Sequence, residues 1–376
     1  SGSTSLLHDC TTLGGSSGSP VISLDQQAVV GLHFSGTPGS TNRAVQINTL
    51  KDVLTGKRST VVVSALEAES VEASDRPHEA DFFSHRRGYN RKFLGVDVPL
   101  PDIPGDLDLA KPTGSPGGRK TELRYQHFSV VYSNFAKCPA VAALNIDGGK
   151  IRPIKRKNKT WFFDLRIARE NQLDQKDYGD PAIDRGHMIR RASTNWGTQE
   201  QAERANLDSY HYTVAAPQHK DLNRNAGTWL GLENHILESS KTHGFKANVF
   251  TGPVINDMTP DLEDTGGKLP LEFWKVVSMI AGDDDGNERL HATAYLLSQG
   301  RLIQSLLAQE SFAEALEGFE FGEFKTFQIP IASLEKATGY DFGPLRDADP
   351  LNGALERESA PPVVSNPLDS VDDIIL

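Results

Sequence analysis

The stretch Asp184-Arg185-Gly186-His187-Met188 decides how the chain is read. It brings together a carboxylate, a guanidinium, a hinge glycine and an imidazole. An imidazole takes a proton from water near neutral pH, and a guanidinium fork holds the non-bridging oxygens of a phosphate. The set suits phosphodiester hydrolysis. Alone it reads equally well as a surface turn in which Asp184 and Arg185 pair and His187 is solvated.

Downstream, Pro217-Gln218-His219-Lys220-Asp221-Leu222-Asn223 precedes Trp229-Leu230-Gly231-Leu232-Glu233. Leu222 to Leu237 reads as the start of a helix, with Trp229, Leu230, Leu232, Ile236 and Leu237 as its apolar stripe. Asn223 and Glu233 would supply an amide oxygen and a carboxylate. That is a partial shell for Mg2+, which prefers oxygen ligands and keeps several waters. A helix-capping asparagine and a solvated glutamate fit the same residues.

From Asp184 to Glu233 the chain resembles the DNA/RNA non-specific endonuclease family, whose active site is of the ββα-metal type. The hallmark is Asp-Arg-Gly-His, then Pro-Gln and an Asn, then a Glu along a helix. The likeness runs in order from Thr121 to Pro344, through His127-Phe128-Ser129-Val130-Val131, Asn195-Trp196-Gly197, Phe250-Thr251-Gly252-Pro253-Val254 and Ala337-Thr338-Gly339-Tyr340-Asp341-Phe342. The resemblance implies that His187 is the general base and that Asn223 is the single protein ligand to Mg2+, with Mn2+ as a substitute. It implies that Glu233 orients water on the metal and that Arg185 stabilises the transition state. Lys159 is the nearest match to a further phosphate-binding arginine, with Arg156 the next. Arg190 and Arg191 surround the histidine with Arg185 and are expected to touch the DNA or RNA substrate. Val214 and Ser193 depart from the family's usual Asn and Asp, and Asn225 stays a second candidate ligand.

Near the start, Leu13-Gly14-Gly15-Ser16-Ser17-Gly18-Ser19-Pro20 leads into Val21-Ile22-Ser23-Leu24 and Ala28-Val29-Val30-Gly31-Leu32-His33-Phe34. Two apolar β-rich runs about a short turn argue against a flexible linker. The segment resembles the C-terminal barrel of trypsin-like serine peptidases, with Ser16 in place of the usual Asn. The match makes Ser17 the nucleophile and the backbone N–H groups of Gly15 and Ser17 the oxyanion hole. In that family the His and Asp of the triad precede the Ser, and His8 and Asp9 are too close to Ser17 to serve. The expectation is an inactive remnant of a peptidase in a piece of a longer protein.

The chain has 376 residues, 38% of them hydrophobic, and a net charge of −11. Such a balance disfavours a polyanion-binding protein, but the charge is uneven. Lys150, Arg152, Lys155, Arg156, Lys157 and Lys159 form a basic run, and local fields steer a polyanion more than the total does. No apolar run is long enough to span a bilayer, so no membrane partner is expected. Cys10 and Cys138 are too few for a disulfide scaffold and mildly favour the cytoplasm.

Segments Val130–Tyr132, Ala140–Asp147, Trp161–Arg166, Val249–Ile255, Trp274–Ile280 and Ala292–Ser298 read as strands. Gln199–Asn206, Thr228–Thr242 and Phe312–Phe319 read as helices. Runs of strands without βαβ alternation give an α+β class with an antiparallel central sheet, in agreement with the ββα-metal fold, preceded by the partial trypsin-like barrel. The expected division is 1–55 peptidase barrel, 56–118 linker, 119–350 endonuclease and 351–376 tail. The expected function is a Mg2+-dependent, sequence-non-specific endonuclease controlled by its peptidase or a regulatory partner, as in an anti-phage effector. The alternatives are a nucleic-acid-binding module with a decayed nuclease, or a full-length protein whose main activity is peptidase.

Overall fold

The computed structural model describes residues 5–8, 20–23, 28–35, 42–46, 76–114, 119–155, 160–224, 233, 236–237, 240, 244–282, 287–299, 326–351 and 366–368. The chain divides into two compact units, Ser1–Glu72 and Ala73–Leu376. In the first, β1 (Ser5–His8), β2 (Pro20–Ser23), β3 (Ala28–Ser35) and β4 (Asn42–Gln46) form an antiparallel sheet in the order β1-β4-β3-β2. The β2–β3 hairpin uses the two apolar runs of the sequence, with a register shift between Val21 and Ile22. Gly15 and Ser17, read as oxyanion hole and nucleophile, lie outside the described residues, as does the Phe312–Phe319 segment.

The second unit opens with β5 (Arg76–His78), β6 (Glu122–Arg124), β7 (Phe128–Ser133), β8 (Cys138–Asp147) and β9 (Phe162–Asp164). Then come β10 (Ile183–His187), β11 (Ala215–His219), β12 (Lys246–Pro253), β13 (Asp261–Leu262) and β14 (Gly267–Lys268). Strands β15 (Glu272–Gly282), β16 (Glu288–Ser298), β17 (Thr326–Ile329) and β18 (Asn366–Leu368) complete the set. Eight of these make one sheet, β18-β17-β16-β15-β12-β8-β7-β6, antiparallel at every pairing. This is the mixed α and β architecture with a large antiparallel sheet that the strand runs predicted.

All ten residues of β8, Cys-Pro-Ala-Val-Ala-Ala-Leu-Asn-Ile-Asp, are buried. The strand is covered on both faces, which is why it reads as a continuous apolar run and not as an alternation. Phe128, Tyr132, Leu144, Phe250, Phe273 and Trp274 fill the core about it. Each such side chain stabilises the fold by about 1.5–3 kcal/mol relative to exposure. The stretch read as a connection also enters this core, through Phe83, Tyr89, Val98, Leu100, Leu107 and Ala110. Its apolar residues are scattered among charges, so no helical or strand period betrays them. Asn366–Leu368, in the segment read as a tail, pairs with β17.

Helices are few and short among the described residues: α1 (Arg191–Thr194), α2 (Gln199–Asp208), α3 (Lys220–Arg224), α4 (Ile331–Thr338) and α5 (Pro344–Asp347). α2 starts at Thr198 with a capping box, Thr198 and Gln201 each bonding the other's backbone. Of the expected 228–242 helix, Glu233, Ile236, Leu237 and Ser240 are described; all are helical and buried. Their i, i+3, i+4, i+7 spacing is that of one helix face turned inward.

Candidate active site

Ile183–His187 is a strand, not a surface turn. β10 pairs antiparallel with β11, setting Asp184 opposite Gln218, Arg185 opposite Pro217 and Gly186 opposite Ala216. Met188 N–H extends the pairing to Val214 O at 2.9 Å, and α3 follows β11 without an intervening residue. The order is strand, strand, helix. Side chains alternate along β10, so Arg185 and His187 share one face and Asp184 and Gly186 the other.

On the first face stands Trp161. Its ring is 4.8 Å from that of His187, and the Arg185 guanidinium lies over it at 5.0 Å. Arg185 also donates to Gln175 Oε1. On the other face Gly186 leaves no room for a Cβ, which would come within 2.0 Å of Gln218 Oε1 and 2.5 Å of its Cγ. The hinge read from the sequence is therefore a close-approach glycine. Asp184 does not pair with Arg185. It accepts from Asn223 Nδ2 at 2.9 Å and from Arg224 Nε at 2.7 Å, which ties the end of α3 to β10.

Glu233 is buried, and its Oε1 lies 3.4 Å from Lys275 Nζ on β15. Lys275 also donates to Thr251 Oγ1 at 3.0 Å. Burial lowers the pKa of Lys275, and the Glu233 carboxylate opposes that shift. Sequence reading gave Lys275 no role. The signal was a lone lysine in the buried strand Glu272–Val277.

An open cleft of about 840 Å³ gathers these groups, lined by Asp184, Arg185, His187, Asn223, Glu233 and also Trp161. Arg190 and Arg191 are on its wall as well. Arg191 donates to Asn206 Oδ1 of α2 at 2.7 Å, so part of its fork is already engaged. Lys159, Arg156 and Asn225 lie outside the described residues. Ser193 and Val214, the two departures, are buried beside the site.

The donor set fits a hard divalent cation. Asp184 holds the amide nitrogen of Asn223, which leaves Oδ1 as the atom free to ligate. A single neutral oxygen suits Mg2+, which retains most of its water. Among the described residues no group of three or more His, Cys, Asp or Glu could hold a metal; a site with one amide ligand is not of that kind.

Residues 108–349 match the DNA/RNA non-specific endonuclease domain. The chain belongs to that family. It is also 34% identical over 300 residues to the uncharacterized protein y4fB of Sinorhizobium fredii, covering 75% of this chain and 43% of that protein. The chain thus aligns with less than half the length of that relative. A solved EndoG/EndoGI complex, described as showing the mechanism of EndoG inhibition, matches over 60% of this chain and 86% of its own, at 19% identity and a TM-score of 0.43. Among the described residues no helix is long and apolar enough to cross a membrane.

Proposed function

We propose that this endonuclease hydrolyses the phosphodiester bonds of DNA and RNA with Mg2+ and without sequence preference. What carries the reading is that Arg185, His187, Asn223 and Glu233 line one cleft. His187 takes the proton of the attacking water, and Trp161 limits the ring's motion. Arg185 holds a non-bridging oxygen and meets the charge that builds on the phosphorus-bound oxygens. Such preorganised charge is worth most where water is excluded. Asn223 and Glu233 would hold Mg2+ and its waters, and the bound ion would supply Lewis-acid neutralisation of the scissile phosphate. Mn2+ would serve with the same oxygen ligands. Arg190 and Arg191, with Lys159 and Arg156, bind the flanking backbone.

The test is plasmid cleavage with Mg2+, with chelator, and by His187→Ala. The wild type should nick and degrade DNA and RNA with the metal only. The variant should be slower by roughly 10²–10⁴-fold, the usual contribution of a general base. Undiminished cutting by His187→Ala would sink the assignment, and cutting in chelator would remove the metal from it.

The finer reading of the first unit is that it is the C-terminal part of a trypsin-like barrel, with Ser17 as nucleophile and the N–H groups of Gly15 and Ser17 as oxyanion hole. The β2–β3 hairpin that follows Ser17 supports it. Joined to an indiscriminate nuclease, such a barrel fits an anti-phage effector whose nuclease is released or unmasked by the peptidase or by cleavage in the 55–118 connection, ahead of Phe83, where the chain enters the core. Equal nuclease rates before and after that cleavage would end the idea.

A further inference from the structure

His85-Arg86-Arg87-Gly88 lies outside the cleft, yet it lines a groove of its own. The groove, about 690 Å³, is bounded by His85, Arg86, Arg87, Arg124, Gln126 and Arg204. Arg87 and Arg124 also line an adjoining depression of about 520 Å³ that includes Arg91 and Arg119. Much of this basic lining is already matched by carboxylates: Arg91 pairs with Asp97, Arg119 with Asp102, and Arg124 with Glu122, which itself lines the depression.

The groove is built, not a chance cluster of loose side chains. Gly88 has φ 73°, and a Cβ there would meet Ser129 Oγ at 2.4 Å and Arg124 Cγ at 2.8 Å. Its N–H donates to Tyr125 O at 2.9 Å. Only glycine permits this approach, and it fixes Arg87 beside Arg124. Arg86 is an anchor, turned inward to Asp208 through Nε and Nη2 at 2.9 Å each. Arg87 is exposed and takes part in none of the ion pairs found among the described residues. Arg204 pairs with Glu200, whose side chain is 79% exposed. A surface pair of this kind contributes little and yields readily to a phosphate. Gln126 adds an uncharged amide donor.

We infer that this groove is a second binding site for the phosphodiester backbone of a nucleic acid, engaged by strands too long for the cleft alone. It rests on the reading of the cleft as a nuclease site only in that one strand is taken to serve both. α2 stands between them: Asn206 holds Arg191 on the cleft wall, while Arg204, two residues away, faces the groove. Residues two apart on a helix point to different sides. Arginine forks that meet phosphates alone read no bases, which suits a substrate of any sequence.

The experiment measures binding in chelator, where nothing is cut, for a short duplex that fills the cleft and for one several turns longer. The double variant Arg87→Ala, Arg204→Ala should bind the long duplex roughly tenfold more weakly at low salt, with a salt slope shallower by about 1–2. Its affinity for the short duplex should match the wild type, as should its rate on bis(p-nitrophenyl) phosphate. Both positions are at the surface, and an unchanged melting temperature will show that the variant folds. Unaltered affinity and slope on the long duplex would overturn the inference. So would competition by polyglutamate as effective as that by DNA of equal charge, which would make the groove a docking surface for acidic proteins. A wild type that cuts nothing would defeat the nuclease reading and leave the length-dependent binding result standing on its own.

Discussion

At the scale of single residues, Asp184 lines the cleft with its carboxylate already engaged by the protein. Its carboxylate is shared between Asn223 Nδ2 and the Arg224 guanidinium, so it sets which way the Asn223 amide points. Asp184→Ala would free that amide to rotate and remove the charge that restrains Arg224. Losing a group that orients a ligand commonly weakens a metal site by about 10–100-fold. The Mg2+ concentration for half-maximal cleavage should rise by that factor, while DNA affinity in chelator stays unchanged. An unaltered Mg2+ requirement would deny Asp184 the role. Lys275 has a parallel relation to Glu233. Lys275 Nζ, 3.4 Å from Glu233 Oε1, restrains where that carboxylate sits, and removing either partner would leave the other alone in the interior, which is costly.

At the scale of elements, the site depends on how closely β10 and β11 approach. Gly186→Ala would drive a methyl group into the fully buried side chain of Gln218. Overpacking of this sort costs about 1–3 kcal/mol, so the melting temperature should fall and cleavage with it. A variant with wild-type stability and rate would mean that Gln218 can swing aside. The gathering of Asp184, Arg185, His187, Asn223 and Glu233 at one cleft was legible in the sequence through their resemblance to the endonuclease family's motif. The sequence hid the supporting contacts. Asp184 and Arg224 are forty residues apart, and Lys275 and Glu233 are brought together by a helix packing on a sheet. Neither pairing has a local period. Strand interiors such as β8 and β15 were legible from apolar runs, whereas β9 was foreseen as Trp161–Arg166 and spans only Phe162–Asp164. Its neighbours Trp161 and Arg166 make side-chain contacts instead, with the His187 ring and with Asp164 at 2.6 Å.

At the scale of the whole second unit, the segment before the family domain is wired into the wall behind the cleft. β5 pairs in parallel with β9, and the His78 ring stacks on Phe82 at 3.7 Å and on Phe162 at 4.4 Å. His78 Nδ1 and His211 Nε2 share a hydrogen bond of 2.9 Å, and Arg86 and Asp208 clamp the same region. Burial pushes the pKa of His78 down to about 4 and lowers that of His211. A third imidazole, His127, is buried against Trp196 with ring centroids 3.5 Å apart, and burial likewise brings it to about 4. The folded state therefore keeps all three neutral at pH values where the unfolded chain, with histidines near 6.5, binds protons. Between those values the unfolded state holds more protons, so stability rises with pH and is lost on acidification from about 6.5 toward 4. For the buried His127 alone the loss amounts to roughly 3 kcal/mol, each pKa unit being about 1.4. His127→Asn isolates that share, since φ 72° at this position is one asparagine tolerates. Denaturant unfolding of wild type and variant at pH 7 and near pH 4 is the measurement. The wild type should lose more stability than the variant across that window, by about the His127 share. Equal losses would show that His127 is already protonated in the fold, and that the acid sensitivity belongs to the His78–His211 pair.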